Sequence, residues 1–178
     1  MRQHILLTGD PGCGKTTLIT RVVRQMACEV GGFFTQEVRV DGRRQGFKMI
    51  TFDGAEGLLA HVDFDSAHRV GKYGVDLATI EEIGVASIRR ASAARQPVII
   101  DEIGPMELFS SAFRQVVTDA LNGGGVVLGT IVRRSTPFTD AVKARPDVRV
   151  IEVRRDNRDE LVDTVIALLH AAGWCDSA

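Results

Sequence analysis

The chain has 178 residues, enough for a sizeable hydrophobic core, and we expect a single domain over residues 1–178. Its formal net charge of −1, from 22 basic and 23 acidic residues, gives no electrostatic argument for a nucleic-acid or membrane partner. Three cysteines without metal-ligand spacing favour free thiols in a reducing compartment, and no apolar run exceeds strand length, so we expect a cytoplasmic protein without a membrane span.

The first predicted elements are a strand over His4–Thr8 and a helix that begins near Lys15, joined by a glycine-rich turn. This turn matches the phosphate-binding pattern G-x-x-x-x-G-K-[ST]. Glycines let the backbone curl around phosphates, and the helix start directs unpaired N–H groups at them. Lys15 is expected to reach the β- and γ-phosphates, and the Thr16 hydroxyl to ligate Mg²⁺. The predicted nucleotide-binding residues of this turn are Gly9, Asp10, Pro11, Gly12, Cys13, Gly14, Lys15, Thr16 and Thr17.

The next stretch of the chain predicts an antiparallel hairpin. Alternating residues over Phe33–Val40 and Phe47–Phe52 flank an Asp-Gly turn signal. A short strand is expected near Leu58–Val62, followed by a loop over residues 69–74. Asp76 then caps a predicted helix that runs to about Ala94.

The second half of the chain alternates apolar strands with amphipathic helices. This alternation predicts an α/β fold with a mostly parallel sheet covered by helices on both faces, to which the hairpin is an antiparallel addition. The predicted strands are Val98–Ile100, Val126–Val132 and Val148–Val153, and the predicted helices are Glu107–Leu121, a short helix from a Thr136 cap to Ala144, and a final helix capped by Asp156.

Two carboxylates follow the strand that ends at Ile100. An Asp in this position, here Asp101, is expected to hold Mg²⁺ through a water beside the phosphate loop. The adjacent Glu102 is expected to orient and deprotonate an attacking water. Together with Lys15 they are the predicted catalytic residues. Further predicted nucleotide contacts come from Ile100, Asp101, Glu102, Gly104 and Thr130.

Several roles stay open on the residues alone. Thr130 either senses the γ-phosphate or satisfies its own backbone, and Glu107 either orients Glu102 or caps the following helix. Arg133 and Arg134 are internal arginine fingers or solvated charges, and Tyr73 stacks on a base or packs its loop. No Asn-Lys-x-Asp guanine-reading segment occurs in the sequence, so base selectivity should be weak.

Longer strings accompany the phosphate loop. They are Gly32-Phe33-Phe34-Thr35-Gln36-Glu37-Val38-Arg39, Val70-Gly71-Lys72-Tyr73-Gly74-Val75-Asp76, Asp101-Glu102-Ile103-Gly104-Pro105-Met106-Glu107-Leu108-Phe109-Ser110, Gly129-Thr130-Ile131 and Asn157-Arg158. With these strings the chain resembles, from about His4 to His170, the small nucleoside-triphosphatases first described from thermophiles, also called cancer-related nucleoside-triphosphatase.

The resemblance implies a RecA-like P-loop fold and a function. That function is Mg²⁺-dependent hydrolysis of ATP, GTP, CTP, UTP and TTP to diphosphates, with little base preference. Pro105 departs from the family, which commonly carries Lys there, so either another cation neutralises transition-state charge or turnover is slower.

Two other functions compete with hydrolysis. A nucleotide or small-molecule kinase shares the phosphate loop, although the region around Arg133 and Arg134 is a poor lid. A nucleotide-gated adaptor would hydrolyse slowly to reset a partner. No self-association stripe remains once the helices are assigned to the sheet, so a monomer is expected.

Overall fold

Nine strands form one sheet in the computed structural model, which describes residues 3–175. The strands are β1 His4–Thr8, β2 Gly31–Val40, β3 Arg43–Thr51, β4 Glu56–His61, β5 Arg69–Val70, β6 Tyr73–Val75, β7 Val98–Ile103, β8 Val127–Ile131 and β9 Val148–Glu152. Their order across the sheet is β5-β6-β4-β3-β2-β7-β8-β1-β9.

The strands β2, β7, β8, β1 and β9 pair in parallel. Every residue of β8 is buried, as are the first four of β1. Both faces of these strands are covered, which explains why they read as continuous apolar runs rather than as an alternating pattern. The predicted α/β sheet with a parallel part is confirmed.

The antiparallel part is larger than the predicted hairpin. Beyond the hairpin of β2 and β3, the sheet continues through β4, β6 and β5, all antiparallel. We call strands β2 to β6 the wing. The loop predicted over residues 69–74 is wrong, because Arg69–Val70 and Tyr73–Val75 pair across a turn at Gly71.

Helices cover both faces of the sheet. The helices are α1 Lys15–Met26, α2 Leu77–Thr79, α3 Ala86–Ala93, α4 Ser111–Asn122, α5 Pro137–Lys143 and α6 Arg158–Ala171, with a π-helical segment over Ile80–Val85 and a 3-10 turn over Glu107–Phe109. α1 and α6 pack against one face of β1 and β8, and the π segment, α3 and α4 cover the other face. None of the helices within residues 3–175 is long and apolar enough to cross a membrane.

The helix caps agree only in part with their predictions. The Asp76 cap is confirmed, since its carboxylate accepts from the backbone N–H groups of Ala78 and Thr79. Thr136 also caps its helix as predicted. The predicted start at Glu107 is wrong, because the 3-10 turn intervenes and α4 is capped by Ser110.

The Asp156 cap is wrong as well. The final helix begins at Arg158, and Asn157 occupies the cap position. The Asn157 side chain accepts from the Arg154 backbone N–H instead of from the helix. This shift places Arg158 in the first turn of α6, beside the turn that follows β1.

Candidate active site

The glycine-rich turn connects β1 to α1, as its sequence context predicted. Gly9, Gly12 and Gly14 have φ angles of 154°, 74° and 104°, a region that side chains with a Cβ rarely adopt. Lys15 Nζ donates to the carbonyl oxygens of Gly9, at 2.9 Å, and Asp10, at 3.1 Å. The ammonium is therefore folded over the turn that would hold phosphates.

Asp101 joins this loop to the centre of the sheet. Its buried carboxylate accepts from the Thr16 hydroxyl at 2.6 Å and from the Thr130 hydroxyl at 2.7 Å. The Thr130 hydroxyl thus bonds to a neighbouring side chain rather than to its own backbone. Three elements, α1, β7 and β8, meet at one carboxylate, and this fixes Thr16 beside the end of β7.

A shift in strand register aims both carboxylates at the same cleft. Ile100 pairs with Gly129 and Ile103 with Ile131, so Asp101 and Glu102 together lie opposite Thr130. Such a bulge changes the direction of side chains relative to a regular strand. Asp101 and Glu102 consequently both line the cleft beside Lys15 and Thr16.

Burial raises the pKa values of both carboxyl groups above their ordinary values. For Asp101 the hydroxyls of Thr16 and Thr130, and then Lys15, oppose this effect. For Glu102 the charge of Lys15 opposes burial, and the charge of Asp101 adds to it. A carboxyl with a raised pKa is a stronger proton acceptor, which suits general base catalysis.

A third carboxyl, Glu107, is buried next to Glu102. A Cβ built on Gly104 would lie 2.7 Å from Glu102 Oε2 and 3.1 Å from Glu107 Oε2, so both side chains flank this glycine. Burial, followed by the charge of Glu102, raises the pKa of Glu107 to about 8. Because Ser110 caps α4, the capping role considered for Glu107 is wrong, and the placement fits a role beside Glu102.

Glu107→Gln is expected to become progressively more stable than the wild type as pH rises. A carboxyl with a raised folded-state pKa binds more protons in the folded state, so it lowers the free energy of unfolding as pH rises from about 4.5 to about 8. The free energy of unfolding of Glu107→Gln relative to the wild type should therefore increase by about 3 kcal/mol from pH 5 to pH 8. Urea unfolding in EDTA across this range measures the difference.

The matched control for this experiment is Glu82→Gln, which changes an exposed carboxylate of the π-helical segment. Comparison of the two variants shows whether the pH dependence is specific to Glu107. A pH-independent offset in Glu107→Gln would show that Glu107 is ionised in the folded protein throughout.

One cleft of about 650 Å³ is lined by Lys15, Thr16, Asp101 and Glu102. The cleft has two halves, because β7 with Glu102 lies between the wing and β1 in the sheet. The phosphate loop and Arg158 line the loop half, and residues of the wing line the wing half. Eight predicted site residues line the cleft: Pro11, Gly12, Gly14, Lys15, Thr16, Thr17, Asp101 and Glu102. The lining residues that sequence reasoning gave no firm role are Thr35, Glu37, Arg44, Phe47, Val70, Gly71, Tyr73, Met106 and Arg158.

The other predicted residues do not line the cleft. Gly9, Asp10, Ile100, Gly104 and Thr130 belong to the loop and the strand ends without lining the cleft. The Cys13 thiol is buried in the core between α1 and β1. A direct phosphate contact by the Cys13 side chain is therefore not supported, and only the Cys13 backbone can contact a phosphate.

Arg44 connects several side chains in the wing half through hydrogen bonds and a cation–π contact. Arg44 donates to Glu37 at 2.7 Å and to the Tyr73 hydroxyl at 3.0 Å, and its guanidinium lies 5.0 Å from the centre of the Phe47 ring. Tyr73 is thus held by packing and by Arg44 on the far side of Glu102 from the loop. This arrangement favours the packing interpretation of Tyr73 over base stacking.

Arg133 lies away from the cleft lining. It donates to Asp10 at 2.8 Å and also to Glu152, and it is nearly half exposed. Both contacts are surface ion pairs, which contribute little stability. Solvated charge, the alternative to an arginine finger, agrees with this placement.

The oxygen ligands beside Lys15 suit Mg²⁺. The Thr16 hydroxyl and the Asp101 carboxylate lie within hydrogen-bonding distance of each other, and Mg²⁺ prefers oxygen ligands of this kind. Within residues 3–175, no cluster of three or more His, Cys, Asp or Glu side chains could hold a metal alone. A magnesium ion here would complete its shell with substrate phosphate and water, the usual arrangement in phosphoryl-transfer sites.

Comparison with known proteins identifies the family of this chain. A family model described as NTPase matches residues 4–166. The chain belongs to this NTPase family. It is 48% identical, over 93% of its length and 94% of the relative, to nucleoside-triphosphatase THEP1 of Thermotoga sp. (strain RQ2). It is also 38% identical to the human cancer-related nucleoside-triphosphatase, over 97% of this chain and 99% of that protein.

A solved structure of the NTPase family has the same fold. The crystal structure of THEP1 from the hyperthermophile Aquifex aeolicus superposes with a TM-score of 0.86 at 36% identity, over 94% of this chain and 99% of that one. The predicted P-loop fold and the resemblance to the thermophile and cancer-related nucleoside-triphosphatases are both confirmed.

Proposed function

We propose that this chain is a nucleoside triphosphatase that hydrolyses ATP, GTP, CTP, UTP and TTP to diphosphate and phosphate in an Mg²⁺-dependent reaction. The observation that carries the proposal is the convergence of Lys15, Thr16, Asp101 and Glu102 in one cleft. The names of the relatives agree with this chemistry.

Each of these residues has a distinct task in the proposed reaction. Glu102 accepts a proton from a water on the side of the γ-phosphate that faces the wing. Lys15 leaves the Gly9 and Asp10 carbonyls to contact the β- and γ-phosphate oxygens, where it stabilises the charge that moves to the leaving diphosphate. Thr16 and Asp101 would hold Mg²⁺, which would supply neutralisation of the phosphate charge.

Weak base selectivity is part of the proposal. Among the described residues, the loop half of the cleft is lined by Pro, Gly, Lys, Thr and Arg side chains, without a carboxylate or amide that would read a base edge. A site that leaves no polar group unpaired when the base changes discriminates weakly between bases.

We propose that the protein acts as a cytoplasmic monomer with one domain. Both halves of the one sheet contribute to the cleft, which supports a single domain. The large apolar side chains most exposed among the described residues are few and lie on four different elements, which supports a monomer. They are Val40, Leu58, Phe109 and Val150.

The test is phosphate release from the five triphosphates, with and without Mg²⁺. We expect hydrolysis of all five at comparable kcat/KM, and its loss in EDTA. Release from only one triphosphate would contradict weak base selectivity, and undiminished release in EDTA would contradict the metal role.

Phosphoryl transfer to a small molecule is the second candidate function. One observation favours it: the cleft continues past Glu102 into the wing half, which offers more room than an attacking water needs. Under this alternative, loss of triphosphate would exceed phosphate release when an acceptor alcohol is present. Equal amounts of diphosphate and phosphate under all conditions would support hydrolysis.

A further inference from the structure

The nucleoside end of a bound triphosphate has a defined direction in this cleft. Lys15, Thr16 and Asp101 lie where the phosphate loop faces β7, next to Glu102. The reacting phosphate must lie there, so the rest of an extended nucleotide runs along the loop away from Glu102. The sheet order places β7 and the wing on one side of β1 and β9, which leads into α6, on the other, so Gly14 and Arg158 lie at that end of the cleft.

Arg158 packs directly against the phosphate loop. A Cβ built on Gly14 would lie 2.8 Å from Arg158 Nη1 and would also collide with Cδ, so the side chain lies across this glycine. Gly14 is the residue before α1 and the second fixed glycine of the phosphate-binding pattern. The guanidinium is therefore positioned by packing on the loop while it lines the cleft.

The polar groups of Arg158 are poorly engaged by the protein. Its Nε is buried without a hydrogen-bond acceptor among residues 3–175. The Asp159 carboxylate lies 3.7 Å from Nε and is itself bonded to Arg21. A cation that is packed in place but weakly paired is suited to contact a ligand.

We infer that Arg158 forms the nucleobase-binding site of this enzyme, with its guanidinium plane stacked on the base. A planar cation stacks on any base, because every base has a π-face, and in the stacked arrangement it reads no base edge. Among the described residues that line the loop half, Arg158 is the one with a planar side-chain group. The inference rests on the proposed function and gives its weak base selectivity a structural cause.

Tyr73 is the aromatic residue that the sequence offered for base stacking, and its position does not fit. It lies in the wing half, with its hydroxyl bonded to Arg44 and its ring against Phe47. A nucleotide with its γ-phosphate beside Glu102 would direct its base away from Tyr73.

The experiment compares ligands with and without a base. Calorimetry in Mg²⁺ measures the affinities of ADP, GDP, CDP, UDP and inorganic pyrophosphate for wild type, Arg158→Ala, Arg158→Lys and Arg155→Ala. Arg158→Lys keeps the charge but removes the plane. Arg155→Ala removes the same charge from an exposed neighbour.

Both Arg158 variants are expected to weaken all four diphosphates about tenfold. Their pyrophosphate affinities should change by no more than that of Arg155→Ala. Retained pyrophosphate binding also shows that the variant's phosphate loop is folded.

Three outcomes would overturn the inference. Equal weakening of pyrophosphate and the diphosphates would assign Arg158 to a phosphate, weakening of a single diphosphate would assign it to a base edge, and unchanged affinities would remove it from the site. Phosphate release by the wild type, measured separately, tests the proposed function, so failure of one is distinguishable from failure of the other.

Discussion

Replacing Glu102 with glutamine is expected to lower kcat by ~10²–10⁴ while leaving triphosphate affinity nearly unchanged. The change keeps the size and most hydrogen bonding of the side chain but removes the proton acceptor. Glu102 follows Asp101 on β7 and lies between the phosphate loop and the wing, where an attacking water would stand. Single-turnover phosphate release measures the chemical step, and equilibrium binding of an NTP to the variant measures affinity.

Two matched variants separate this role from its neighbours. Asp101→Asn should shift the Mg²⁺ concentration needed for activity, because Asp101 is placed to hold the ion with Thr16. Glu82→Gln changes an exposed carboxylate and should hydrolyse normally. Normal turnover by Glu102→Gln would place water activation elsewhere, with Glu107 as the next carboxyl to test.

Lys15→Ala is expected to abolish hydrolysis almost completely and to weaken triphosphate binding. The ground-state contact is charge-assisted and worth about 1.5–3 kcal/mol. The loss in the transition state should be larger, because charge moves toward the bridging oxygen that the ammonium contacts. Steady-state hydrolysis and equilibrium binding of the same triphosphate distinguish the two effects.

The control for Lys15 is Lys48→Ala, which removes a surface ion pair with Glu56 on the wing. It should leave both affinity and turnover close to the wild-type values, since exposed ion pairs contribute little. Wild-type turnover in Lys15→Ala would rule out the glycine-rich turn as the phosphate site.

The predictable part of this site is local in sequence. The phosphate loop lies between a strand and a helix within fourteen neighbouring positions from His4 to Thr17, so its backbone geometry follows from its own glycines. Asp101 and Glu102 were predictable because the carboxyl ends of parallel strands meet at one edge of the sheet. Thr130 was proposed because it closes the strand after Asp101, and its bond to Asp101 was not predicted.

The parts that were missed depend on distant contacts. β5 and β6 have only two and three residues and owe their pairing to β4, so their own pattern carries no strand signal. The burial of Glu107 follows from a 3-10 turn folded beneath Gly104, which helical periodicity cannot show. The Ser110 cap was visible in the sequence as a Ser before a periodic segment, and the apolar period of the preceding residues concealed it.

Arg158 was missed for a related reason. Its sequence neighbours are Arg154, Arg155 and Asp156, which are exposed, so the string resembles a solvated surface segment. Only the pairing of β9 with β1 brings the start of α6 over Gly14.

The position of Arg158 has a consequence for how the protein is made. The phosphate loop leaves the ribosome before the segments that surround it in the fold. The Val153 carbonyl closes on Gly9, β9 pairs with β1, and α6 packs on α1. A nascent chain that stops before residue 148 has the nucleotide-binding motif without its lateral support. The binding site should therefore become competent only when residues 148–171 have been translated, after most of the chain is already exposed to nucleotides.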